Sequence, residues 1–373
     1  MKNLKLAVIG AGHLGRIHAR LAAELPGVQL VGVADPVLEA RNEVAAQVGT
    51  RAFADYRELI GKIDAAIVAT PTSTHHAVGM ELLSHGIHLL IEKPLALSAA
   101  LGEELVEMAQ QNGVVLQVGH VERFNPALER VMPQLVDPKY IEAVRTSAYP
   151  FRSTDIGVVL DLMIHDLDVT LALAKSTVTH VDALGVSVLG GHEDIANARL
   201  HFENGCVATL TASRASYQSQ RTMNVWSPQG FTSIDFALRN TTSVYPGEEL
   251  TRGEWDLESL SPQQKNHYRQ HLFEGLLVKQ STSGAEGNAI LNEQRDLVDS
   301  IVNQHDPRVT GEQAYQTLLV AEQILQAIET HAWDGRTDGR LGPFASPETP
   351  ILRATHWDEA AVTTKPRRHR EAG

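Results

Sequence analysis

One cysteine, Cys206, stands in 373 residues, which excludes an intrachain disulfide and suits a reducing compartment. Basic residues are also in short supply. The chain has 32 Lys and Arg against 45 Asp and Glu, a net charge of −13. That deficit argues against non-specific binding to nucleic acid or to an anionic membrane. No apolar run approaches the roughly 18 residues of a membrane span. The first strand pattern begins within three residues of Met1, leaving no room for a signal peptide. The expected location is therefore the cytoplasm. No H-E-x-x-H or C-x-x-C pattern, Walker loop, G-x-S-x-G elbow or deaminase signature occurs. The 17 histidines include the adjacent pair His75-His76, but no metal site is expected.

What is present is ordinary in bulk. The chain is 43% apolar and 21% charged, and its length suggests two domains. The stretch from Lys5 to Gly15 is more informative. Leu6 to Ile9 suits a buried strand, and Gly10, Gly12 and Gly15 follow as G-x-G-x-x-G. Leu14, Ile17, His18, Leu21 and Leu25 then fall at helical spacing. Gly10 allows the tight turn, Gly12 lets a pyrophosphate reach the backbone, and Gly15 lets helix and strand pack closely. The first helical residues, His13 and Leu14, open an end that offers free N–H groups and a positive dipole to phosphate. A second strand, Val28 to Ala34, ends in Asp35, 20 residues past Gly15. An acidic side chain there can accept hydrogen bonds from an adenosine ribose, and it would repel a 2′-phosphate. NAD is thus expected in preference to NADP, with Arg16 and Arg41 nearby. The competing reading is a βαβ unit without a ligand.

Strand and helix patterns alternate through the first 120 residues, which predicts a doubly wound parallel sheet. A helix is expected over 37–48, a strand over 64–69, a helix over 74–85 and a strand over 87–91. A helix over 98–111 and a strand over 114–118 complete the series. In such sheets ligands sit at the carboxyl ends of the strands. Gly10, Asp35, Thr70-Pro71-Thr72, Glu92-Lys93-Pro94 and Gly119-His120 all lie at strand ends. Beyond them a helix over 124–131, a strand over 141–148 and a helix over 156–174 are expected. Strands follow over 181–189, 196–202, 206–213, 222–226 and 231–236, with Glu203-Asn204-Gly205 as a hairpin turn. These predict an α+β domain with a mostly antiparallel sheet, one face of which offers a self-association surface. Helices over 290–302 and from a Thr310/Gln313 capping box to about 330 close the fold, packing back on the first domain. The expected division is 1–120 for the nucleotide, 121–333 for substrate and self-association, and 334–373 as an extended tail.

Three constellations carry chemistry. Lys93, between Glu92 and Pro94, can reach into the cleft and hold a substrate hydroxyl, and Pro94 can fix the backbone, including through a cis peptide. Its plain alternative is a surface lysine before a turn proline. Asp161 and His165 are four apart on a predicted helix. Histidine titrates near neutral pH and can take a hydroxyl proton, while Asp161 can orient the imidazole or bind the sugar. A structural Asp–His pair fits the same spacing. His120, Arg123 and Asn125 follow the last strand of the first domain. The planar fork of Arg123 suits a phosphate or carboxylate, and Asn125 can bind a hydroxyl or cap the next helix.

Taken together these residues resemble the glucose–fructose oxidoreductase, inositol dehydrogenase and MocA family over roughly residues 4–330. The resemblance implies an NAD-dependent oxidoreductase acting on CH–OH groups of a sugar, nucleotide sugar or polyol. It assigns catalysis to Lys93, His165 and Asp161, and places Thr70, Pro71, His75, Glu92 and Lys93 near the cofactor. It also implies a homo-oligomer, dimer or tetramer, built on the second sheet. The segment Asp155-Ile-Gly157-Val-Val-Leu-Asp161 departs from the glycine-rich form of many members. With Gly119 to Pro126, it is similar to the branch acting on UDP-N-acetylhexosamines, which oxidises the C3 hydroxyl to a ketone. Dehydrogenation of a free sugar or polyol, and NAD(P) sensing without turnover, are the alternatives. The intact Lys93, Asp161 and His165 speak against the second.

Overall fold

The computed structural model describes residues 3–151, 156–189, 191–253, 255–284, 286–336 and 339–344. The first sheet contains β1 (Leu4–Ile9), β2 (Val28–Ala34), β3 (Arg51–Phe53), β4 (Ala65–Val68), β5 (His88–Glu92) and β6 (Leu116–Gly119). All are parallel, in the order β3-β2-β1-β4-β5-β6. Helices α1 (His13–Ala23), α2 (Leu38–Val48), α3 (Thr72–Ser84) and α4 (Ala99–Asn112) make the crossovers. The order reverses between β1 and β4, where doubly wound sheets open a crevice at the carboxyl ends. β3 is absent from the sequence expectation because its three residues form no apolar run.

After α5 (Pro126–Val131) the chain enters a second sheet with β7 (Tyr140–Thr146). A π-helical turn (159–163) runs into α6 (Ile164–Ala174). Then follow β8 (Val178–Val186), β9 (Ile195–Phe202), β10 (Val207–Ser213), β11 (Gln220–Ser227), β12 (Gly230–Asp235) and β13 (Asn240–Pro246). Short helices α7 (Glu248–Thr251) and α8 (Pro262–Gln270) precede the edge strand β14 (Leu277–Thr282). The order is β14-β13-β12-β11-β7-β10-β9-β8, antiparallel except for β7 beside β10. β13 and β14 lie beyond the expected strands, because both are polar and β14 is an exposed edge.

Helices α9 (Ala289–Asn303) and α10 (Gly311–Thr330) close the described fold, with Thr310 Oγ1 accepting from Gln313 N at the start of α10. One apolar core runs from the α3 and α4 face of the parallel sheet, past Leu318 and Ile324 of α10, to the α6 face of the second sheet. A second core lies on the α1 and α2 face and includes Leu297 of α9. Of the expected tail, 337, 338 and 345–373 lie outside the described residues. The remainder turns back through an Ala332–Leu341 bridge, and Ser187 N donates to Pro343 O at 3.0 Å. Asp155 also lies outside the described residues.

Candidate active site

The crevice between β1 and β4 is built by glycine. Gly10 has φ +100°, and a Cβ there would stand 2.4 Å from the Ala69 carbonyl oxygen. A Cβ on Gly15 would stand 2.0 Å from the Gly10 oxygen, so α1 packs against the turn itself. Gly12 faces open space, with nothing within 4 Å of its Cβ position. It begins α1 without a side-chain cap, leaving the first N–H groups, including those of His13 and Leu14, at the crevice mouth. The crevice holds about 630 Å³ and is lined by Gly10, Gly12, Asp35, Thr70 and Pro71. Asp35 accepts from Ala11 N at 2.7 Å and Val37 N at 2.8 Å, which fixes its carboxylate at the end of β2. The two nearby cations are engaged elsewhere. Arg16 pairs with Glu43, and Arg41 donates to the carbonyls of Asp35 and Pro36. A dinucleotide fits these residues: an uncapped helix end for phosphates, an open glycine beside it, and a fixed carboxylate for a ribose.

Two residues expected near the cofactor have their side chains bonded within the protein. His75 is buried, with its ring nitrogens 2.9 Å from the carbonyls of Thr70 and Pro94, and burial depresses its pKa. It ties β4's end to the cis Lys93–Pro94 segment and has no free nitrogen for a ligand. Glu92 turns inward. Its Oε1 lies 2.8 Å from His18 Nε2, and its Oε2 accepts from Lys93 N at 3.3 Å. Burial pushes its pKa up, but the hydrogen bond from His18 and the nearby charge of Lys93 act against that, and the net direction is down.

Glu293 of α9 completes a buried trio with His18 and Glu92, one ligand atom from each lying within 4.8 Å of the others. The trio has metal-ligand residue types, but its hydrogen bonding argues otherwise. The Gln294 amide nitrogen lies 2.9 Å from His18 Nδ1 and 3.2 Å from His18 O, so it donates to both. Nδ1 is then the acceptor and Nε2–H donates to Glu92. Both Glu293 oxygens lack partners among the described residues. Burial, then the neighbouring charges of Glu92 and Asp296, raises its pKa well above the usual carboxylate range.

On the other side of this segment, Lys93 Nζ donates to the Asp161 carbonyl at 2.6 Å and lies 3.3 Å from Asp161 Oδ1. Asp161 therefore holds Lys93 rather than the His165 imidazole, correcting the expected Asp–His pair. Asp161 lies in the π turn, where its carbonyl and its carboxylate both face Lys93, a residue 68 positions away in the sequence. Such turns occur frequently at functional sites. This one is anchored by Glu193, whose main-chain and side-chain oxygens accept from Val158 N at 2.9 Å and Val159 N at 3.1 Å. Gly157 makes room, since a Cβ there would stand 2.0 Å from Glu193 Oε1.

His165 is half-buried with Nδ1 sealed off and unpartnered. Its pKa falls well below 6.5, first through burial and then through the positive charges of Lys93 and Arg145. It is a neutral imidazole at neutral pH. His120, which follows β6 beside Lys93, is also buried and pushed down by burial, with neither ring nitrogen partnered.

Arg123 and Asn125 are buried and bonded within the protein. Arg123 is 6% exposed, pairs with Asp168 at 3.4 Å and donates to the Arg308 carbonyl at 3.2 Å. Asn125 donates to Glu122 and to the Phe236 carbonyl and accepts from Ala127 N, which makes it the cap of α5. The sequence reading missed Arg145 and Arg221. Arg145, on β7, grips Asp166 with Nε at 2.9 Å and Nη2 at 2.8 Å, and reaches Glu122 at 2.9 Å. The clue was an arginine at an inward position of an alternating strand, a site that demands ion partners.

Comparison with known proteins agrees with this architecture. A profile described as an oxidoreductase family with an NAD-binding Rossmann fold matches residues 4–120, and the GFO/IDH/MocA C-terminal domain matches 138–231. The UDP-N-acetylglucosamine 3-dehydrogenase of Acidithiobacillus ferrooxidans is 41% identical over 246 residues, 66% of this chain and 78% of that protein. A solved structure of that enzyme, GnnA, superposes with a TM-score of 0.77 at 33% identity, covering 88% of this chain and 98% of the other. The NAD(+)-dependent scyllo-inositol 2-dehydrogenase of Bacillus subtilis is 31% identical over 232 residues, 57% of this chain and 68% of that protein.

Proposed function

The chain belongs to the GFO/IDH/MocA family of NAD-binding oxidoreductases, and from that premise we propose that it oxidises the C3 hydroxyl of a UDP-N-acetylhexosamine to a ketone. The observation that carries the catalytic part is the Lys93–Asp161 contact, 2.6 Å from Nζ to the carbonyl oxygen, with the Lys93 charge also acting on the His165 imidazole. Bound NAD supplies the hydride acceptor. Gly10, Gly12, Gly15 and the N–H groups of His13 and Leu14 cradle its phosphates, Asp35 takes its ribose, and Thr70 and Pro71 line its path. Lys93 binds the substrate oxygen and stabilises it as the proton leaves. His165, kept neutral by desolvation and by the nearby charges of Lys93 and Arg145, accepts that proton. Asp161 aims Lys93. The hydroxyl thus loses one hydride and one proton, which balances its conversion to a carbonyl.

In this reading residues 1–120 carry the cofactor, residues 121–333 the substrate, and 334–373 form the tail. The substrate assignment is supported by the 41% identity to a UDP-N-acetylglucosamine 3-dehydrogenase. A dehydrogenase of free polyols is the second reading, favoured by the 31% identity to a scyllo-inositol dehydrogenase. Self-association would use the outer face of the second sheet, where Tyr140, Trp226 and Phe231 stack at 5.0 Å centroid spacings. A cytoplasmic location fits a chain whose only cysteine is a buried free thiol. The described residues contain no helix long and apolar enough to cross a membrane.

The test is NADH formation with UDP-N-acetylglucosamine, its uronic acid, glucose and myo-inositol, with a carbonyl trap to pull the equilibrium. Turnover confined to the UDP-sugars, with a 3-keto product, is expected. Turnover confined to the free polyol would replace the substrate assignment with the second reading.

A further inference from the structure

β7 and β11 are antiparallel, with Arg221 directly opposite Arg145. Residues paired this way put their side chains on the same face about 5 Å apart, and two like charges so placed destabilise the sheet. Their shared face is known from the neighbours. Ile141, Ala143, Met223 and Val225 alternate with the outer residues and are buried toward α6, and Arg145 reaches Asp166 on α6 itself. Arg221 thus projects on the α6 side, at the rim of the sheet, where it is exposed. Its field reaches both His165 and Asp166.

The charges facing it are accounted for. Asp166 is held bidentately by Arg145, Glu122 is held by Arg145 and Asn125, and Asp161 is held by Lys93. No hydrogen bond or ion pair engages the Arg221 guanidinium among the described residues. A like-charge pair kept at this register, with one member neutralised and the other left open beside the base, is explained by a ligand that supplies the missing negative charge. Arg123 is less suited to this part, because it is 6% exposed and Asp168 and the Arg308 carbonyl take its two terminal nitrogens.

We infer that Arg221 is the anion receptor of the substrate pocket and takes the diphosphate of a nucleotide sugar while His165 meets the sugar hydroxyl. A diphosphate matches the guanidinium fork, which gives two parallel charge-assisted bonds to phosphate oxygens. Arg221 acts here as a specificity residue and touches none of the reacting atoms. The inference rests on the nucleotide-sugar reading above and deepens it by naming what holds the nucleotide arm.

The test uses the full chain with NAD bound and compares Arg221→Gln and Arg221→Lys with the parent. Binding of UDP alone is measured by calorimetry, and kcat and KM are measured for UDP-N-acetylglucosamine and for free N-acetylglucosamine. Arg221→Gln is expected to weaken UDP binding and raise KM for the UDP-sugar roughly 10- to 100-fold, the loss of a charge-assisted contact. The kcat/KM ratio of nucleotide sugar to free sugar should fall by the same factor, with Arg221→Lys in between. Retained NAD binding in each variant shows that the fold survives. UDP affinity equal in parent and Arg221→Gln would overturn the inference even if the parent oxidises the UDP-sugar. A parent that binds no UDP would overturn it too. A parent that binds UDP through Arg221 yet oxidises only free sugars would uphold the receptor and remove the proposed reaction alone.

Discussion

On the cofactor side of the cleft the working groups are almost all backbone. They are a glycine turn, an uncapped helix end and the ends of β1, β2 and β4, with Asp35 as the one side chain of weight. On the substrate side they are side chains brought from far apart. Lys93 follows β5, Asp161 lies in a π turn, His165 opens α6 and Arg221 begins β11. Backbone cradles tolerate many side chains provided a few glycines are kept. Side-chain constellations depend on the registers and helix windings that carry them, so each can be broken by one substitution.

The largest expected effects therefore fall on the substrate side. His165→Ala and Lys93→Ala should each lower kcat by roughly 10²- to 10⁴-fold, the usual contribution of a positioned proton-transfer group. NAD binding, followed by protein fluorescence, should persist in both. Near-parental turnover in both would break the comparison, because catalysis would then not rest on these side chains. The pH profile sharpens it. With its pKa pushed below 6.5, His165 stays neutral and able to accept a proton as the pH falls past that value. The acid limb of alcohol oxidation should lie below 6.5, and a limb above it would point to a different base.

On the cofactor side one side chain is exposed to the same kind of test. Asp35→Asn should raise KM for NAD about 10-fold, consistent with loss of a charged acceptor, and should relax the preference over NADP. An unchanged ratio of the two cofactors would leave selectivity to the backbone alone.

The smallest effect belongs to the buried trio between the halves. Folded Glu293 keeps its proton above pH 4.5, whereas the unfolded chain releases it. Stability is therefore intact below 4.5 and falls as the pH rises from there toward the folded pKa, by up to ~1.4 kcal/mol for each pH unit. Glu293→Gln should flatten that part of the stability curve in urea titrations. A slope equal to the parent's would mean that Glu293 is ionised in the fold.

The same contrast explains what could be read from the residues beforehand. The parallel sheet and its glycine turn were legible because their signals are local: apolar runs of four to seven residues, glycines at fixed spacing, an acid one strand later. The pairing of Asp161 was not, because its partner Lys93 lies 68 residues away in the sequence, at the end of β5, where no local spacing rule reaches. Arg123 and Asn125 were misplaced for a related reason. A residue after a strand end can face the cleft or the interior, and Asp168, Arg308 and Phe236 decide that from distant elements. Arg221 carries no local signal, since only strand register sets it beside Arg145.

α9 and α10 seal the first sheet from the far end of the described chain. Gln294 and Glu293 meet His18 and Glu92, Glu322 accepts from Ala99 N at 2.7 Å, and Thr310 bridges to Gln117 on β6. Each contact joins one of the last helices or its entry to the first 120 residues. A nascent chain that has delivered the glycine turn and all six parallel strands still lacks the cover for His18 and for one face of α4. The first sheet is thus sealed by helices that follow the second sheet in the chain, the last of these contacts being made by Glu322.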